Sequence, residues 1–377
     1  MKLTGRAIVL LGAMIASQVL AQDDAPPLPW QGVWQGTIGD LPVHACLTHR
    51  FYTDLGAYYY DRVKSLIRIE REGEGEGKDW VEGPDNAEPG APRWRIEQVT
   101  AGDISGRWSD EKRSLPIRLK RIGGPGNDDG GPCASLEFHR PRLAPVNLMS
   151  KAGVKDGARF TSWTFKPGPP FPEVEVSTFT LDRSGAEVAR VNTMLRAVLP
   201  KADGRGDWLD CMMGSADSHG VDGDYSESIE PTLVTGHWLG AAHQVDTYCG
   251  GAHPETDTRL RTFDLQSGVE VDPLDWFKPS AVRVERFKGL DRPSKTLTPA
   301  FIAMILKDWK HEEADCDDPV RSYDYWDVGI ARGSLVFSPD LPRAFMACGE
   351  DFRIPFARLQ PWLSAKGKAA VASLPKR

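Results

Sequence analysis

Six cysteines, Cys46, Cys133, Cys211, Cys249, Cys316 and Cys348, are spread along the chain, and no two form a CxxC pair. An even number at such spacings reads as three disulfides. The missing CxxC pairs argue against a thioredoxin-like redox site and against a zinc ribbon. Cys46 and Cys133 are the only two in the first half, so if that half folds alone they must pair or stay free, and pairing is expected. In the second half the sequential pairing, Cys211–Cys249 and Cys316–Cys348, closes the shortest loops.

Disulfides need an oxidising compartment, and the first residues agree. MKLTGRAIVLLGAMIASQVLAQ has Lys2 and Arg6, then an apolar run, then small residues at Val19-Leu20-Ala21. This is the pattern of a secretory signal peptide over 1–21, too short to span a bilayer. A periplasmic or secreted protein is expected. Cleavage takes Lys2 and Arg6 and no acid, moving the formal charge from −7 to −9. That balance disfavours nucleic acid and anionic membranes and favours a basic partner. No later stretch is apolar enough to span a membrane.

The 377 residues suit about two domains. QDDAPPLP, 22–29, reads as a disordered leader. From 30 to 143 the pattern is all-β. Short runs rich in β-branched and aromatic residues lie at 32–39, 42–48, 57–60, 65–70, 93–98, 104–108 and 115–119, with turn signals between them. This predicts a small barrel or sandwich. From 144 to 377 strands and helices mix without regular βαβ alternation, which predicts an α+β domain and an α+β chain overall. Ser184 with Glu187 three residues on reads as a helix cap, followed by the apolar stripe Val188, Val191, Leu195, Val198 and Leu199. Thr298 and Pro299 open a second helix.

TYCGGAHPE, 247–255, looks most like a site. A zinc centre would need three or four ligands, and His243 and His253 stand ten apart without an HExxH frame. A Cys–His nucleophile would need a free thiol and an orienting third group. Two adjacent glycines permit a sharp turn, and Pro254 holds His253 extended. The stretch is therefore expected to be a turn that exposes Gly250, Gly251, His253 and Glu255, stapled by Cys249. DSHGVDGDYSE, 217–227, lacks the EF-hand pattern and reads as a solvated acidic loop. The twelve tryptophans suit sugar stacking but equally fill β-rich cores. No catalytic residue, metal ligand or cofactor is assigned.

Two stretches carry a resemblance. YCGGAHPETDTRLRTFDLQSGVEVDPLDWF, 248–277, resembles the GGAH turn and following FDL run of the RsiV-type domain of unknown function. GSLVFSPDLPRAFMACGEDFRIPFARLQPWL, 333–363, resembles that domain's closing strand, turn and short helix. The 184–199 helix with Asn192 resembles the helix of its companion segment. The likeness covers roughly 160–365 and makes the second domain RsiV-like. Cys249, Cys316 and Cys348 fall outside the family pattern. The family occurs in a lysozyme-binding anti-sigma factor and in the non-catalytic part of a peptidoglycan deacetylase. It therefore implies an exported, non-catalytic binding protein of the cell envelope, with a cell-wall glycan or a basic, lysozyme-like protein as ligand. The alternative is an envelope polymer hydrolase using carboxylate or metal chemistry, since paired carboxylates need no sequence spacing.

Overall fold

The computed structural model describes residues 27–50, 53–72, 79–83, 90–126, 130–289, 293–307, 309–310 and 314–376. The expected signal peptide, 1–21, and most of the expected leader lie outside them. Eight strands come first: β1 (Gly32–Ile38), β2 (Leu41–Arg50), β3 (Thr53–Tyr60), β4 (Ile67–Arg71), β5 (Asp79–Glu82), β6 (Arg93–Val99), β7 (Asp103–Ser109) and β8 (Ser114–Gly123). Each pairs antiparallel with its chain neighbour, and β1 also pairs with β8 to close a barrel. Closure removes every free strand edge. Alternation then sends Trp34, Val43, Ala45, Leu47, Tyr58, Ile69, Trp94 and Ile117 inward, all buried. Of the twelve tryptophans, nine are core residues, which settles their main use as packing.

The strands β2 and β3 break the usual alternation. Val43 to Thr48 and Leu55 to Tyr59 are buried without interruption. The cause is a second layer against the barrel's outer wall. A segment carrying Cys133 and the short helix α1 (Leu136–His139) lies there, held by the Cys46–Cys133 disulfide. Val33, Ala57, Tyr59 and Phe138 form one apolar cluster with Ala216 from much later in the chain.

Seven strands form the second sheet, in order β15-β14-β13-β12-β11-β10-β9. They are β9 (Leu148–Lys155), β10 (Ala158–Phe165), β11 (Val174–Leu181), β12 (Asp224–Val234), β13 (Trp238–Tyr248), β14 (Glu255–Asp264) and β15 (Val269–Glu270). No strand is shared with the barrel. The one parallel pair, β11 with β12, needs a crossover, and α2 (Ala186–Arg196) and α3 (Asp207–His219) supply it. Val188, Val191 and Leu195 pack α2 onto Phe179, Leu239 and Phe263. Asn192 fixes α2 along the sheet by bonding both the N–H and the carbonyl of Leu181, at 2.8 and 3.0 Å. The remaining core gathers β16 (Val282–Glu285), β17 (Ser294–Leu297), α4 (Pro299–Ile305), β18 (Trp326–Ala331), β19 (Ser334–Pro339) and β20 (Phe352–Pro355). Thr298 caps α4 with Pro299 in its first turn.

Two expectations are corrected, and one helix goes beyond them. Ser184 does not cap α2: Gly185, at φ +128°, holds that place without a side-chain bond. The helix α3 was hidden because it is buried on several sides. Trp208, Leu209, Cys211, Met212, Ser215, Ala216 and Asp217 are all enclosed, so no single stripe marks it. The 217–227 stretch is not a solvated loop. Asp217 has no exposed surface and accepts from Arg50 and from the Gly131 N–H, Asp222 binds Arg142, and Glu227 is buried.

Arg142 joins the two halves. Its enclosed guanidinium donates to the Lys64 carbonyl (2.9 Å) and forks onto the Asp222 carboxylate. It lies 4.5 Å over the Phe171 ring and 5.6 Å from that of Tyr59. It also donates to His139 Nδ1 at 3.3 Å, while His139 Nε2–H donates to the Cys133 carbonyl at 2.8 Å.

Two outcomes follow from this cluster. Arg142→Met leaves Asp222 without its partner and should cost about 3 kcal/mol, near the lower end for a broken buried pair because Asp222 keeps some water. Denaturant unfolding measures it, and adding Asp222→Asn should recover part of the loss. Burial and then the Arg142 charge push the His139 imidazole down to about 3 from 6.5. Below 6.5 the unfolded chain takes a proton that folded His139 refuses. This contribution is therefore full above pH 6.5 and is lost steadily toward pH 3, by at most about 5 kcal/mol. Unfolding of His139→Gln at pH 7.5 and 4.5 should show a flatter pH slope than the wild type.

Candidate functional site

The strands β12, β13 and β14 set the site by register. Ile229 faces His243, Glu227 faces Val245, and His243 faces Arg259. Alternation puts Glu227, His243 and Arg259 on one face. There His243 Nε2 bonds Glu227 Oε1 at 2.7 Å, and the Tyr225 hydroxyl donates to Oε2 at 2.8 Å. Burial, then the Glu227 carboxylate, raises the Tyr225 phenol well above its usual range. Tyr225 therefore stays a neutral donor.

The edge of β14 is only partly covered. Its neighbour β15 has two residues, opposite Phe263 and Asp264. Beyond β15 the Leu260 N–H points off the edge, and Asp327 of β18 accepts it at 3.3 Å. A cleft of about 660 Å³ opens here, between the β14 edge, β18 and the turn at Asp272–Asp275. His243, Arg259, Arg261, Glu270, Asp272 and Asp327 line it. Four of its charges are already paired: Arg261 forks onto Glu270 at 2.9 and 2.7 Å, and Lys295 of β17 reaches Asp272 and Asp275. Asp327 is different. Burial pushes its carboxyl up to about 6, with Asp340 and Asp257 adding like-charge repulsion against the Leu260 N–H and Arg259. Along the same strand, Asp257 borders a further hollow of about 300 Å³ with Asp340, Glu350 and Asp351.

The structure separates the residues that the sequence grouped. His243 lines the cleft. Glu255 pairs with Thr247 at the start of β14, four residues further along the hairpin and so roughly 13 Å away. His253 is exposed in the turn, its Nδ1 3.1 Å from the Pro254 carbonyl oxygen. Gly250 turns at φ +89°, and a Cβ there would strike Ser218 and the backbone of Ser215 on α3. The Cys211–Cys249 disulfide holds the turn in that place, and Cys316–Cys348 is the third bridge. Among the described residues no three potential metal ligands cluster. Sequence reasoning missed Glu227, sixteen residues before His243 and bonded to it across β12 and β13, and Asp327, eighty-four residues after it, which meets the cleft only because β18 packs from a separate sheet against the β14 edge.

No family model matches the chain, and no curated protein matches it. Two solved structures are similar to part of it. One is a DUF3298 family protein from Pseudomonas aeruginosa PAO1, 15% identical, over 62% of this chain and 99% of that one, with a TM-score of 0.34. The other is a DUF3298 family member from Bacteroides fragilis NCTC 9343, 9% identical, over 62% and 98%, with a TM-score of 0.37.

The staple is testable apart from any activity. Cys211→Ser with Cys249→Ser opens a loop of 38 residues and should cost about 3 kcal/mol in denaturant unfolding. It should also free the TYCGGAHPE turn, seen as faster amide exchange there than in the barrel.

Proposed function

We propose that the mature protein is an exported, non-catalytic binding protein of the cell envelope, and that the β14 cleft receives a basic segment of a partner protein. The observation that carries this is the crowding of carboxylates along one partly covered strand edge. Asp327 is held against its own ionisation by burial and by Asp340 and Asp257. A lysine or arginine entering the cleft would relieve that repulsion, and two such side chains could follow the edge into the neighbouring hollow. The volume lies within the range of ligand pockets, about 300–1,000 Å³. The three disulfides, the charge of the mature chain and the RsiV-like motifs support the same reading. The second domain is proposed to be RsiV-like and to begin near residue 144.

A second reading has its own observation. His243, backed by the buried Glu227, lines the same cleft as an Asp327 that ionises near pH 6, an arrangement open to acid–base hydrolysis of a glycan.

Calorimetric titration with lysozyme as the basic probe, and with soluble peptidoglycan fragments, separates the readings. Binding of lysozyme should weaken with salt and fall at least tenfold in Asp327→Asn with Asp340→Asn. Binding of fragments alone would replace the basic partner by a glycan, and turnover of them, lost in Asp327→Asn, would establish the hydrolase. Asp327→Asn also has a signed effect on stability. The raised carboxyl costs the fold nothing below pH 3.8 and its full amount above pH 6. The variant should therefore unfold later than the wild type at pH 7.5, by about 2 kcal/mol, and no later at pH 3.5.

A further inference from the structure

We infer that the barrel carries a second site, at the end where β4 passes to β5 and β6 to β7, for a single-ring aromatic molecule. An eight-stranded closed barrel is just wide enough either to fill itself with side chains or to keep room for one small ligand. This one does both. Its middle is filled by Trp34, Tyr58, Trp94 and Trp108. At the end near Trp30 a hollow of about 220 Å³ remains, walled by Trp30, Trp80, Ile96 and Val99, with Arg71, opposite Trp80, as the one cation in its lining among the described residues.

Size selects the ligand. Pockets for drug-sized molecules run from about 300 Å³ upward, whereas an apolar cavity of about 150 Å³ already takes benzene. A hollow between these limits fits one ring with a small substituent. Chemistry selects it further. Trp30 and Trp80 meet edge to face, with centroids 5.1 Å apart, so a third ring can extend the same packing. The wall is shaped for it. The strand β6 bulges between Ile96 and Gln98, which puts Glu97 and Gln98 together at the rim, where they can meet a polar substituent.

The test is fluorine NMR of fluorobenzene titrated into the folded, oxidised protein. We expect a saturable shift or broadening at one equivalent. Val99→Trp fills the hollow and should weaken binding at least tenfold while leaving the unfolding curve of the protein native. Gln98→Trp, at an exposed rim position, does the same from outside and serves if Val99→Trp disturbs the fold. Absence of a saturable response in the wild type would overturn the site. So would unchanged affinity in whichever of these variants keeps a native unfolding curve.

Discussion

The architecture depends on one enclosed cation. Arg142 has almost no exposed surface, and its donors are spent on three separate parts of the chain: the Lys64 carbonyl below the barrel, His139 on the covering segment, and Asp222 at the entry to β12. A buried charge is tolerated only when it is paired and its donors are used, so these parts must come together in one geometry. The rings of Phe171 and Tyr59 close the cage from both halves. Asp217, bound by Arg50 and by the Gly131 N–H, makes a parallel tie next to Ala216 on α3. Salt bridges of this kind add modest net stability but strongly disfavour other arrangements. The barrel is thereby held against α3 rather than tethered by a loose linker.

The β14 cleft follows from a different constraint. A sheet edge leaves backbone donors and acceptors unpaired, and proteins cover such edges or charge them. Here β15 covers two residues and Asp327 takes one further N–H, so the edge is managed by a carboxylate instead of a strand. That solution leaves open space beside the strand and concentrates negative charge in it. The cleft and its electrostatics are thus two results of one short strand.

Much of the fold was legible in the sequence, and the limits are physical. Barrel strands with one solvated face alternate and could be read directly. The strand β5 was not read, because its four residues lie between a glycine–glutamate stretch and a proline–glycine stretch that look like one loop. The helix α3 hid behind burial on several sides. The acidic 217–227 stretch misled for the same reason that Arg142 was overlooked: charge usually marks solvent, and here it marks a buried joint. Sequence drew attention to His253 and Glu255 because they are close in the chain. The cleft instead draws on His243 and Arg259, set side by side by register in one sheet, and on Asp327, brought against them by the packing of a separate sheet. No spacing in the chain encodes that.

The closed meander also has a bearing on the order in which the molecule is assembled. Every barrel strand finds its partner next to it in the chain, and only the β1–β8 seam is distant. Such local wiring folds early and quickly, and synthesis delivers it first. Yet the outer wall of β1 to β3 waits for Ala216, roughly ninety residues after the last barrel strand. Until then the segment of Cys133 and Phe138 covers Val33, Ala57 and Tyr59 only in part, on an otherwise finished barrel. The nascent protein therefore passes through a period with one adhesive flank, in which a chaperone or a neighbouring chain can occupy the place that α3 later takes.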